Sequence, residues 1–177
     1  AVPRRERMGG LGVVGEFVHI RVVEGGSGAV AWGSKTLAQL GDMTNRAITT
    51  PGVCACLGTA NSMHIVAEAL GMSLPGNAPI LADSAKLYKY CQLVGERIIE
   101  MVEQNQCPRS IITKEAIENA IMVVLAIGGS VNTVRHLSAI ATEAEIKMDV
   151  VKTYEKFADT IHLITAVRPN GPYPTED

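Results

Sequence analysis

Aromatic residues are scarce in this chain: one Trp, four Tyr and two Phe, about 4% of 177 residues. Proteins that hold single-stranded nucleic acid stack its bases on aromatic faces, and so few rings offer no such platform. An excess of one charge is lacking as well. Sixteen Lys and Arg against eighteen Asp and Glu leave a net charge of −2, without the basic surplus that attracts a phosphate backbone. Long hydrophobic runs are missing: the longest, Ala120 to Ile127, falls far short of the roughly 20 residues a helix needs to cross a bilayer. Neither a charged, apolar, small-residue signal segment nor a dense cysteine framework is present. The four cysteines, Cys54, Cys56, Cys91 and Cys107, suit a reducing compartment better than a disulfide scaffold. These absences predict a soluble protein of the cytoplasm, or of an organellar matrix, with no nucleic-acid and no membrane partner.

What is present is a chain that can fill a core, 47% of it hydrophobic. Residues 1–23 form an uncertain N-terminal segment. Arg4, Arg5 and Arg7 make a short basic arm, and Val13, Val14, Val18, Ile20, Val22 and Val23 favour extended backbone broken by glycines. Glu24 to Gly28 reads as a flexible loop, because it lacks both the Lys-Ser/Thr ending of a phosphate-binding loop and dinucleotide-binding glycine spacing. Residues 24–177 read as one helix-rich α/β unit with few strands. Helices are predicted from Ser34 to Ile48, from Thr59 to about Gly71, and after a cap at Asp83 or Ser84 with the apolar stripe Leu87, Cys91, Val94, Ile98, Met101 and Val102. That stripe makes Cys91 a core residue. A further helix starts at Thr113, turns Ile117, Ala120, Ile121, Val124 and Leu125 inward, and stops at Gly128-Gly129. Ser130 is the expected cap of the next one, which carries Val134, Leu137 and Ala141 on one face. Asp149 to Ile161 completes the helices, and His162 to Val167 reads as a short strand before the turn Pro169 to Pro172.

The most informative stretch is Pro51-Gly52-Val53-Cys54-Ala55-Cys56-Leu57-Gly58-Thr59-Ala60-Asn61-Ser62-Met63. A thiol stands in a bend of small residues just ahead of a helix, where the backbone can approach a bulky inorganic group and the helix N-terminus favours a thiolate. The plainer reading of Cys54 is a buried thiol in a tight loop. Thr59, Asn61 and Ser62 suit contacts to substrate or to ligand-supporting groups, and suit ordinary capping equally well. His64 and Glu68 lie one turn apart, a spacing that can hold a metal but more often marks a solvated pair. His136 beside an apolar stripe reads as a hydrogen-bonded packing residue.

Several runs together resemble the dihydroxy-acid dehydratase family, which includes the sugar-acid and 6-phosphogluconate dehydratases. They are Cys54 with Gly58-Thr59-Ala60-Asn61-Ser62-Met63, Glu68 to Gly76, Glu118-Asn119-Ala120-Ile121, Gly128-Gly129-Ser130-Val131-Asn132 with His136-Leu137, and Arg168-Pro169-Asn170-Gly171. Leu57-Gly58-Thr59 and the glycine-serine-glycine run before Trp32 look more like the sugar-acid branch. The resemblance implies a hydro-lyase that removes water from a 2,3-dihydroxy acid to give a 2-keto acid. It implies an iron-sulfur cluster, 2Fe-2S or 4Fe-4S, as Lewis acid on the departing hydroxyl, a Mg2+ ion that helps hold a small hydroxy-acid substrate, and a homo-oligomer. Hydroxide leaves poorly at neutral pH, which is why such chemistry uses a metal centre. Cys54 would be a thiolate ligand of the cluster iron, and Thr59, Asn61, Ser62, Ser130 and Asn132 would contact the substrate or the groups that support its ligands.

Departures from the family pattern are equally definite. The Cys-Asp-Lys segment that supplies a second thiolate and Mg2+ ligands is missing, and so is the domain with the catalytic serine, so no catalytic residue is identified in this chain. Cys56 stands where the family has a non-thiol residue, and Val131 replaces a threonine. The resemblance therefore implies part of the N-terminal catalytic domain, which as an isolated chain is expected to hold no complete cluster. The alternative is a noncatalytic remnant that acts as a structural or interaction module.

Overall fold

In the computed structural model, the described residues are 28–47, 52–53, 56–173 and 175. The basic arm, the β-branched segment and Cys54 lie outside them.

Packing is organised by the most apolar helix. Ile117, Ala120, Ile121 and Val124 repeat at three- and four-residue intervals, so one face of Lys114–Ile127 is continuously apolar, and all four are buried. Thr113 starts this helix by accepting a hydrogen bond from the Ala116 N–H at 3.2 Å. Gly128 ends it with φ +64, a left-handed conformation that glycine adopts without a Cβ penalty. The Gly128 and Gly129 N–H groups then bond back to the Leu125 and Val124 carbonyls at 3.2 and 2.9 Å, a Schellman arrangement.

After a helical turn at 28–31, the helices of the described residues are, in chain order, α1 (Leu37–Ala47), α2 (Thr59–Ala69), α3 (Ala85–Glu103), α4 (Pro108–Ile111), α5 (Lys114–Ile127), α6 (Thr133–Glu143) and α7 (Val150–Ala158). Helix α5 packs against α2, α6 and α7, and α6 packs against α2 and α7. Val66 and Leu70 from the α2 end, Leu137 and Ala141 from α6, and Val150 from α7 complete the core around α5. Each fully buried aliphatic side chain contributes about 1.5–3 kcal/mol of transfer free energy. Asp149 caps α7 through Lys152 N–H at 3.1 Å, and the Tyr154 hydroxyl reaches Thr133 Oγ1 at 2.9 Å, tying α7 to the start of α6.

The helix-rich architecture agrees with the sequence reading, and three local expectations are corrected. Helix α3 forms where expected with Ser84 as its cap, but none of its residues is buried, and Cys91 is exposed. No helix packs on its apolar stripe among the described residues, so periodicity gave the helix without giving it a neighbour. Ser130 is not the N-cap of α6: Asn132 occupies that position, and its side chain makes no capping hydrogen bond. His162 to Val167 forms no strand. Its backbone groups are spent on the end of α5 and on the following turn, leaving only the isolated bridge Val167 to Tyr173. No helix of the described residues is long and apolar enough to cross a membrane.

Replacing Ile121 by Ala should lower stability by about 2–5 kcal/mol, through lost burial and a cavity in a site closed on all sides. Chemical denaturation with an unchanged m-value would register it. Burial raises the Tyr154 hydroxyl above its ordinary value near 10, while the Thr133 hydrogen bond opposes this. The folded chain thus keeps that proton at a pH where the unfolded chain releases it. Stability from this group should hold below about pH 10 and fall as pH climbs from there through the raised value. In Tyr154→Phe the alkaline decline should shrink, at a loss of about 1 kcal/mol at neutral pH.

Candidate active site at the start of helix α2

Helix α2 begins at a glycine. Gly58 is its N-cap and offers no side-chain acceptor, so the first-turn N–H groups after Gly58 are left to other partners. The bend leading into it is held from several sides. Leu57 N–H donates to the Arg168 carbonyl at 2.7 Å, and Asn61 Nδ2 donates back to the Cys56 carbonyl at 2.8 Å. Gly52, with φ +97, lies against the Ala82 methyl, which a Cβ at position 52 would meet at 2.6 Å. Cys54 itself lies outside the described residues.

One turn into the helix, α2 meets the loop between α5 and α6. Thr59 Oγ1 and Ser130 Oγ are 3.1 Å apart, and Asn132 Nδ2 donates to Thr59 Oγ1 at 2.8 Å. The Asn132 N–H donates to Ser130 Oγ at 3.3 Å. Ser62 is fully buried, and its Oγ accepts the Ser130 N–H at 2.8 Å. Four of the five residues expected at the substrate or its supporting groups therefore form one hydrogen-bonded cluster across about 70 residues of sequence. Asn61 serves a different contact, the bend. Thr59, Asn132 and Ser130 retain solvent access, whereas Ser62 is the buried pin that fixes their spacing.

A third segment completes the frame. The terminal carbonyls of α5 at Ala126, Ile127 and Gly128 accept from Ile164 N–H at 2.8 Å, Thr165 Oγ1 at 2.8 Å and Asn170 Nδ2 at 3.0 Å. These bonds seat the segment 163–170 on the helix end and deliver the Arg168 carbonyl to Leu57. The Arg168 Nε is buried without a hydrogen-bond partner. Sequence reading singled out Arg168 to Gly171 as a motif but missed its role as a brace. The signal was Asn170, a side chain able to cap a distant carbonyl.

A groove of about 1180 Å³ is lined by Leu57, Asn61, His64, Glu68, Ile127 and Thr165 among others, and none of the four cluster residues lines it. Glu68 is no solvated partner for His64. Its carboxylate accepts the Gly76 N–H at 2.6 Å and the Ala78 N–H at 2.9 Å, clamping the loop after α2 onto the helix, while His64 is exposed. His136 is exposed on α6 and not a packing residue, because the buried face of that helix belongs to Leu137 and Ala141. Cys56 is buried at the bend, whereas Cys91 and Cys107 are exposed on other elements. Among the described residues no group of three His, Cys, Asp or Glu side chains could hold a metal ion. The donors described here do not by themselves compose an iron-sulfur or Mg2+ centre.

The comparisons with known proteins fall on this same framework. Residues 8–177 match the family model for the dihydroxy-acid/6-phosphogluconate dehydratase N-terminal region. A dihydroxy-acid dehydratase of Methanosarcina barkeri is 44% identical over 147 residues, which is 83% of this chain and 26% of the relative. One from Carboxydothermus hydrogenoformans is 40% identical over 165 residues, 93% of this chain and 30% of the relative. One from Sulfurisphaera tokodaii is 38% identical over 181 residues, 99% and 32% respectively. The chain thus spans about a quarter to a third of the length of these relatives. With this match along nearly its whole length, the chain belongs to the dihydroxy-acid/6-phosphogluconate dehydratase family, in the N-terminal region of that family.

Proposed function

We propose that this chain supplies one wall of a dehydratase active site, in which a 2,3-dihydroxy acid loses water to become a 2-keto acid. The observation that carries this reading is the cluster of Thr59, Ser130 and Asn132 at the uncapped start of α2, pinned by buried Ser62. A neutral array of hydroxyl and amide groups suits the alcohols of such a substrate, and a helix N-terminus favours its carboxylate. Dehydration requires that C2 lose a proton and C3 lose hydroxide, after which the enol relaxes to the ketone. Residues of this wall would bind and orient the acid. Groups outside the described residues would move the proton.

In this reading Cys54 would contribute one thiolate to an iron-sulfur cluster, and the remaining thiolates and the Mg2+ ligands would come from polypeptide other than the described residues. The names of the three relatives favour dihydroxy acids over the aldonates that Leu57-Gly58-Thr59 suggests. A noncatalytic interaction module is the second reading, and the uncovered face of α3 speaks for it.

A chimera separates the two. Residues 24–177 would replace the matching segment of the Methanosarcina barkeri relative, and 2-keto acid formation from 2,3-dihydroxy-3-methylbutanoate and from an aldonate would be measured. Turnover of the first is expected. Ser130→Ala in the chimera should reduce kcat/KM by about 10-fold or more, the loss of roughly one hydrogen bond, with the melting temperature little changed. A chimera that melts cooperatively like the parent enzyme and dehydrates neither acid would leave the module as the better reading.

A further inference from the structure

Among the described residues a single buried side-chain nitrogen or oxygen lacks a hydrogen-bond partner, the Nε of Arg168. No hydrogen bond or ion pair of the described residues reaches the rest of its guanidinium either. Arg97 and Arg109, by contrast, meet Glu100 at 2.9 Å and Glu143 and Glu145 at 3.6 and 3.5 Å. Arg168 is half-buried, and a cation drawn partly out of water without a counter-charge costs free energy that an arriving anion offsets. Weaker screening in such a place also strengthens the attraction.

The position of Arg168 indicates which anion arrives. Its N–H donates to the Tyr173 carbonyl at 2.8 Å, and its carbonyl accepts from Leu57 N–H at 2.7 Å, two residues ahead of Thr59. Asn170 in the same turn donates to the Gly128 carbonyl at 3.0 Å, two residues ahead of Ser130. The turn thus stands in the corner where both segments of the hydroxyl cluster arrive. That cluster is neutral, so an acid bound on it needs a positive charge from elsewhere. The groove offers none from Lys or Arg. Its lining includes Glu68 and Asp83, which repel an acid, and Arg168 does not line it although Thr165 and Val167 do.

We propose that Arg168 receives the carboxylate of the hydroxy acid whose alcohols meet Thr59, Ser130 and Asn132, an assignment that rests on the dehydratase reading above. A guanidinium presents paired donors that match a carboxylate, and with Nε sealed the Nη1 and Nη2 end makes the contact. Neutralising the charge at C1 also eases loss of the C2 proton, which leaves electron density beside it.

The test titrates 2,3-dihydroxy-3-methylbutanoate into the full 177-residue chain, isotope-labelled in arginine, and follows by NMR the Nε–H resonance that Arg168→Lys removes. A saturable shift is expected with the acid, weakening as salt rises, and none with its neutral carboxamide. In the chimera, Arg168→Gln should lower kcat/KM for the acid at least about 10-fold with the melting temperature little changed. Arg168→Lys should lose less, because it keeps the charge without the fork. Absence of any shift would overturn the proposal and assign the guanidinium to a carboxylate of other polypeptide, such as the additional length of the longer relatives. Equal shifts from acid and carboxamide would overturn it too. A chimera that dehydrates the acid and is indifferent to Arg168→Gln would overturn the carboxylate site and leave the dehydratase reading intact. A shift confined to the acid, beside a chimera that dehydrates nothing, would uphold the site and strike that reading.

Discussion

Helix α5 leaves its last carbonyls at a partly exposed end, and the donors that satisfy them fix the segment that braces the candidate site. Gly128 closes the helix by bending left-handed, and Ile164, Thr165 and Asn170 then supply donors to the carbonyls that the bend leaves over. Three bonds of this kind, each contributing on the order of 1 kcal/mol, together favour the segment 163–170 at the helix end. It carries the Arg168 carbonyl to Leu57, and so the position of Leu57, just ahead of α2, depends on how a helix ends some 70 residues away. The same glycine pair lets the chain turn sharply enough for Ser130 to reach Ser62.

The helices themselves were written in the sequence. Thr113, the 117/120/121/124 repeat and Gly128 give start, face and stop for α5, and Ser84 and Asp149 mark the starts of α3 and α7. Local chemistry suffices for such features, since a cap or a left-handed glycine acts within a few residues. Partners at long range were less legible. Cys91 sits on an apolar stripe that looks like any buried one, because periodicity reports a face and not what lies opposite. The segment His162 to Val167 has strand-like composition, yet its hydrogen bonds go to a helix end, a choice made by tertiary contacts.

The site shows the same division. Thr59, Ser62, Ser130 and Asn132 were recognisable as polar residues at helix and loop junctions, but a capping Ser130 and a clustered Ser130 look alike in sequence. Glu68 illustrates the opposite case. Its spacing to His64 suggested a pair on one face, whereas the carboxylate is occupied by two amides of the loop that follows its own helix. Carboxylates bonded to backbone N–H groups are among the stronger fixtures a surface helix can have, and this one shapes a wall of the groove.

One consequence follows from the makeup of the hydroxyl cluster. Thr59, Ser62, Ser130 and Asn132 carry no group that gains or loses a proton across the range in which enzymes operate. An acid held by them would feel the same surroundings in mildly acidic as in mildly alkaline solution, so any sensitivity of the bound state to acidity must originate in the ligand itself or in residues on the opposite wall.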